Sequence, residues 1–151
     1  MDYLILREIG MIARCLQSIS DIEFREINMA RGQYLFLVRI CENPGINQET
    51  LSNLLKVDRT TTAKAVKKLA EKDYILRKQN EKDKRAFALY PKEKGLKIYP
   101  FLRKEEDLST KNALNGFDQE EREKIYGLLK KMRRNIEKDW EIVKSGEKRI
   151  Y

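Results

Sequence analysis

Histidine is absent from all 151 residues. That gap removes His-based acid-base catalysis, the His partner of an activated nucleophile and most zinc sites. Cysteine occurs only twice, as Cys15 and Cys41, at no metal-binding spacing. Free thiols in a reducing cytosol, filling the core, are the expectation. No apolar run reaches about 18 residues, so no membrane span is expected. The opening MDYLILREIGMIARC has no basic segment ahead of an apolar one, so no secretory signal is read and the cytoplasm is the expected location. A glycine-rich phosphate loop and a clustered carboxylate pair are also missing, which argues against an enzyme and against a bound cofactor.

What is present is charge, and it is segregated. The chain is 37% charged and 41% hydrophobic, with a net charge of +8, and its length suits one compact domain with helical extensions. Residues 56–104 hold 16 Lys+Arg against 6 Asp+Glu, a net +10, whereas residues 1–55 carry −2 and residues 105–151 carry zero. A merely solvated surface would not collect its excess in the middle third; a face for a polyanion would.

The same third has a recognisable order: short apolar helix, tight turn, basic helix, charged hairpin. Upstream, a first helix is expected over about Tyr3 to Asp21, with Ile5, Ile9, Ile12, Leu16 and Ile19 forming a lengthwise seam. A second helix is expected from about Arg31 to Glu42, with Tyr34, Leu35, Leu37, Val38 and Cys41 on its apolar face, ended by Asn43-Pro44-Gly45. Asn47 should cap a third helix whose Leu51, Leu54 and Leu55 face inward. After a turn around Val57, Asp58 should cap the basic helix, which buries Thr62, Ala65, Val66 and Leu69 and ends with Asp73 in a left-handed conformation. Tyr74–Lys78 and Ala86–Tyr90 read as two strands. A helix containing Pro100 follows, then Asn115-Gly116, then a last helix capped by Asp118 and Glu121, with a seam of Ile125, Leu129, Met132, Ile136, Trp140 and Val143. The fold class expected is mainly α with a small β-hairpin wing.

A helix-turn-helix places its second helix in the major groove of DNA, where base edges are distinguishable. Arg59 suits a bidentate contact to guanine, and Thr60 and Thr61 suit base edges or phosphate. Lys64, Lys67 and Lys68 suit phosphate, which sets position rather than sequence. In the loop between the strands, Arg85 is the candidate for a narrow minor groove, with Asp83 orienting it by a charge-assisted bond. Lys82 and Lys84 are candidate backbone contacts, or simply exposed. A solvated basic helix explains the lysines alone, but not their conjunction with the turn and the basic hairpin.

These residues resemble the multiple-antibiotic-resistance regulator (MarR) family of winged helix-turn-helix repressors. Similar features are the helix LSNLLKV, then DRTT opening the recognition helix, the LAEKDYILRK junction, and Asp83-Lys84-Arg85, an Asp-x-Arg at the family's spacing before Gly95. Gln33-Tyr34 also matches. The resemblance implies a homodimer joined by residues 1–28 and 98–151, with a winged helix-turn-helix over residues 29–97. It further implies a pseudo-palindromic double-stranded operator and repression relieved by a small aromatic or amphipathic ligand, and it supports Thr60, Thr61, Lys64, Asp83 and Arg85 as contacts. Aromatic and Met side chains of the first, second and fifth helices are candidates for a ligand cleft or plain core. The chain departs from the pattern at Ala30, where a Thr or Ser usually caps the second helix, at Asp73 for a usual Gly, and at Pro91-Lys92 for Leu-Thr. Cys15 lies too close to Gln33 to match the family's redox-sensing cysteine, which disfavours a redox regulator. Other readings are a transcriptional activator of this fold and a winged-helix module that binds protein; competition by plain duplex DNA separates the last.

Overall fold

Three helix starts in the computed structural model are closed by short polar side chains. Asn47 Oδ1 accepts from the Thr50 amide at 2.7 Å, and Asp58 Oδ1 from the Thr61 amide at 2.8 Å. Asp118 Oδ1 accepts from the Glu121 amide at 2.9 Å, and the Glu121 carboxylate accepts from the Asp118 amide at 2.9 Å, completing a capping box. Each cap satisfies amides that a first helical turn leaves without partners.

The structure describes residues 1–29 and 32–151. Its elements are α1 (Asp2–Glu23), α2 (Gln33–Glu42), β1 (Ile46–Asn47), α3 (Gln48–Leu55), α4 (Arg59–Glu71), β2 (Ile75–Gln79), β3 (Phe87–Pro91), α5 (Glu93–Ala113) and α6 (Gln119–Lys144). The sheet is antiparallel in the order β1-β3-β2, with Ile46 opposite Leu89 and Leu76 opposite Tyr90. The expected cap position Ala30, and Arg31, lie outside the described residues.

The core of the first compact unit, Met1–Ser109, is built by Phe24, Met29, Phe36, Leu37, Val38, Ile40, Leu51, Val66, Leu69, Leu89 and Leu102. The end of α1 joins it through Phe24, whose ring lies 4.9 Å from that of Tyr34, and through buried Ser20, whose Oγ is 3.1 Å from the Tyr34 hydroxyl. Both helices of the helix-turn-helix end in a left-handed residue: Lys56 at φ 54° after α3 and Asp73 at φ 65° after α4. At the end of α4, Asp73 N bonds Ala70 O at 3.0 Å and Tyr74 N bonds Leu69 O at 3.0 Å, which uses the carbonyls a helix end leaves open.

The second unit is Thr110–Tyr151. Gly116 turns the chain at φ 84°, and the Arg122 guanidinium donates to Leu114 O and Phe117 O, both at 3.1 Å, before α6 runs 26 residues.

Several expectations need correcting. The hairpin is a three-stranded sheet, because Ile46–Asn47 pairs with β3. Each strand starts one residue later than read. The Tyr74 amide is committed to the end of α4, and the Ala86 amide bonds Asp83 O at 3.0 Å in the wing turn. On α2 the expected Leu37 and Val38 are buried, but the buried face also takes in Phe36 and Ile40, with Tyr34 and Leu35 only half-buried. Leu54 points outward at 49% exposure, and Cys15 is exposed rather than core. No correction attaches to the two seams: Ile5, Ile12, Leu16 and Ile19 of α1 are exposed in the single chain, as are Ile125, Leu129, Ile136 and Val143 of α6.

Gly95, buried in the first turn of α5, sets how closely that helix meets the rest of its unit. A Cβ there would collide with the Tyr74 carbonyl oxygen and sit 3.2 Å from Leu37 Cδ1. Gly95→Ala is therefore expected to cost about 1–3 kcal/mol of stability despite alanine's better helix propensity. Urea unfolding followed by circular dichroism measures it, and an unchanged midpoint would contradict the close approach.

Candidate nucleic-acid interface

Helical periodicity gives α4 two faces. Thr62, Ala65, Val66 and Leu69 are buried, and Arg59, Thr60, Thr61, Lys64, Lys67 and Lys68 are all exposed. A hollow of about 390 Å³ runs along the outer side, lined by Arg59, Thr60, Ala63, Lys64 and Lys67. Lys67 lies 3.8 Å from Glu71 one turn on, an exposed contact of little energetic weight.

Asp58 holds the start of this helix. Beyond the amide cap, the Thr61 hydroxyl donates to Asp58 Oδ2 at 2.6 Å, and the Thr62 hydroxyl donates to Asp58 O at 2.9 Å. The Thr61 hydroxyl, and then its amide, hold the Asp58 carboxyl below the usual carboxylate range. This changes what Thr61 has to offer. Its one donor is spent inside the protein, leaving its methyl group and oxygen lone pairs for a base edge.

The far end of α4 is tied down as well. Lys72 is half-buried, and its ammonium donates to Asn28 O at 2.7 Å and Gln33 Oε1 at 3.0 Å. Burial, then the nearby Lys68 and Lys94, lower its pKa. Lys72 is thus a tether between α4 and the segment before α2, and it does not extend the basic face.

The wing tip is shaped by its own side chains. Asn80 Oδ1 accepts from the Lys82 amide at 2.9 Å, Gln79 Nε2 donates to Lys84 O at 2.6 Å, and Asp83 Oδ1 accepts from the Arg85 amide at 3.0 Å. Asp83 therefore positions Arg85 through its backbone; the expected bond to the guanidinium is not the one formed. Lys82, Asp83, Lys84 and Arg85 are all exposed.

Between the wing and the starts of α3 and α4 lies a groove of about 570 Å³, lined by Glu49, Arg59, Arg77, Asp83, Arg85 and Phe87 among others. It brings together Arg59 of the recognition helix and Asp83 and Arg85 of the wing, while the remaining candidates lie outside it. Sequence reading missed two of its members. Arg77 looked like an ordinary strand residue, yet its guanidinium lies 4.6 Å from the Phe87 ring centroid, a stacking that holds it at the groove. Glu49 pairs with Arg59 Nη2 through Oε1 at 2.6 Å. The signal for Arg77 was its place in the basic third; none marked Glu49.

Among the described residues, no group of His, Cys, Asp or Glu is arranged to hold a metal, and no helix is long and apolar enough to cross a membrane. Cys41 is half-buried, and burial followed by the Glu42 charge raises its thiol pKa to about 11, which opposes thiolate chemistry.

A sequence profile of the MarR family matches residues 29–87, the span from just before α2 to the first residue of β3. An HTH-type transcriptional regulator of Bacillus subtilis (strain 168), the uncharacterized YybA, is 57% identical over 147 residues, covering 97% of this chain and 98% of its own. The chain belongs to the MarR family. Among solved structures, a putative MarR-family regulator from Listeria monocytogenes, crystallised with a 26mer DNA, superposes with a TM-score of 0.94 at 49% identity, covering 97% of each chain. A transcriptional regulator SlyA superposes with a TM-score of 0.89 at 50% identity, covering 92% of this chain and 98% of that one. The MarR fold, a winged helix-turn-helix with long terminal helices, is thus the fold of this chain, and its relatives are transcriptional regulators.

Arg77→Ala and Arg85→Ala are each expected to weaken binding to duplex DNA roughly tenfold, the scale of one lost charge-assisted contact. Fluorescence anisotropy at fixed salt reads this out, and wild-type affinity in either variant would remove that arginine from the interface.

Proposed function

We propose that this MarR-family chain binds double-stranded DNA in a sequence-specific manner as a homodimer and regulates transcription as a repressor. The observation that carries the reading is the exposed basic face of α4 beside a groove that also holds Arg77 and Arg85. The similar Listeria monocytogenes regulator crystallised with DNA supports it. In this reading Arg59, Thr60 and Thr61 meet base edges, while Lys64, Lys67 and Lys68 neutralise phosphates. Lys82, Lys84 and Arg85 track the flanking backbone and minor groove, and Asp83 shapes the tip that presents them. The protein acts by binding, in the cytoplasm, without a catalytic step or cofactor.

Residues 29–97 form the DNA-binding region in this proposal, and residues 1–28 and 98–151 join two copies. The exposed apolar rows of α1 and α6 support the second part, because such rows on separate long helices need covering. A two-fold dimer then presents its recognition helices about one DNA turn apart, which calls for a pseudo-palindromic operator. A small aromatic or amphipathic ligand would relieve repression by changing that spacing.

A salt-titrated gel shift on the DNA flanking its own gene, with and without small aromatic acids, tests the function. Lys64→Ala should weaken binding to every duplex alike and lower the salt slope by about 1 per recognition helix. An unchanged slope would take Lys64 off the phosphates. For assembly, sedimentation should give a dimer, and Leu16→Glu should raise its dissociation constant roughly a hundredfold, since it places a charge in an apolar seam. A wild-type monomer at micromolar concentration would refute the assembly.

A further inference from the structure

We propose that Glu49 is a specificity-determining residue that acts on DNA through Arg59; this rests on the DNA-binding reading above. Glu49 lies in the first turn of α3, and Arg59 opens α4. Their ion pair, Arg59 Nη2 to Glu49 Oε1 at 2.6 Å, crosses the helix-turn-helix turn, with the side chains 64% and 70% exposed for Glu49 and Arg59.

Stability does not account for it. Ion pairs this open add little to a fold, because solvent screens them and two long side chains must be held still. Affinity for a polyanion does not account for it either, since a carboxylate beside the recognition helix repels phosphate. Orientation does. A lone arginine at the start of α4 could swing to any phosphate within reach, which would strengthen binding to every sequence and separate none. Held by one carboxylate oxygen through one nitrogen, the guanidinium keeps its other donors, but from a fixed origin.

That restraint acts unequally on right and wrong DNA. At a guanine in register, the arginine is already ordered, so the rotamer freedom lost on contact is smaller. Out of register, it cannot relax onto the backbone, and the Glu49 charge stays close to phosphate. Discrimination by an added repulsive element is a general route to specificity. The groove supplies the setting, because the three arginines Arg59, Arg77 and Arg85 line it together with Glu49 and Asp83. Asp83 works on loop backbone, whereas Glu49 works on a side chain that reaches DNA.

The test starts from a duplex selected by the wild-type protein from a randomised library, compared with a scrambled duplex of equal length. Glu49→Ala is expected to tighten binding to the scrambled duplex severalfold and to lower the selected-to-scrambled ratio roughly tenfold, the scale of one arginine–guanine contact. Its melting temperature should stay within a degree or two. Glu49→Gln, which keeps an acceptor, should recover most of the ratio. In an Arg59→Ala background, Glu49→Ala should leave the ratio unchanged. Equal factors on both duplexes for Glu49→Ala would reduce Glu49 to a bulk charge and overturn the proposal. A ratio that still falls in the Arg59→Ala background would overturn it too, by excluding Arg59 as the route. A library in which the wild-type protein enriches no sequence would instead overturn the DNA-binding reading itself.

Discussion

The one-sided burial of α4 is the constraint on which the rest depends. Val66 and Leu69 are fully buried, with Thr62 and Ala65 beside them, and a 3.6-residue period then leaves Arg59, Thr60, Lys64, Lys67 and Lys68 no place but the outside. A small rotation of this helix would drive lysines into the core or pull Leu69 out of it. Both carry a cost far above that of any surface contact. The apolar face thus aims the basic face, and the aim is as rigid as the core.

Both ends of α4 are then fixed by other means. Asp58 closes the start with four bonds from Thr61 and Thr62, and Lys72 ties the end to Asn28 and Gln33. The turn into β2 starts from the same helix end, since the Tyr74 amide that closes α4 is unavailable to the sheet. Gly95 lets α5 sit against that same Tyr74. Helix end, strand start and α5 are therefore one packed joint, and a change in any of them is felt by the recognition helix.

Negative charge in and just before the basic third has a geometric use. Asp58, Asp83 and Glu49 each lie where affinity for a polyanion would be better served without them. Asp58 shapes the start of a helix, Asp83 shapes a loop tip, and Glu49 holds an arginine. The net charge of residues 56–104 makes the segment attractive to a polyanion, whereas these three acids set the local geometry of the groups they bond.

Local chemistry was legible in the sequence. The caps at Asn47, Asp58 and Asp118, the left-handed Asp73, the inner face of α4 and the basic third all follow from rules that reach about four residues along the chain. Rules of that reach could not find β1, because two residues make a strand only if β3 lies beside them. They misassigned Leu54 and missed Phe36 and Ile40 on α2, because which side of a short apolar helix is buried depends on what packs there. They also missed the groove: Arg77 meets Phe87, and Glu49 meets Arg59, only after the chain has turned back on itself. The sequence by itself determined the helices, their caps and the sign of the surface, since those depend on neighbouring residues. Only the tertiary structure decided which charges face one another across the turn, since those pairs lie ten residues apart along the chain and touch solely through the fold.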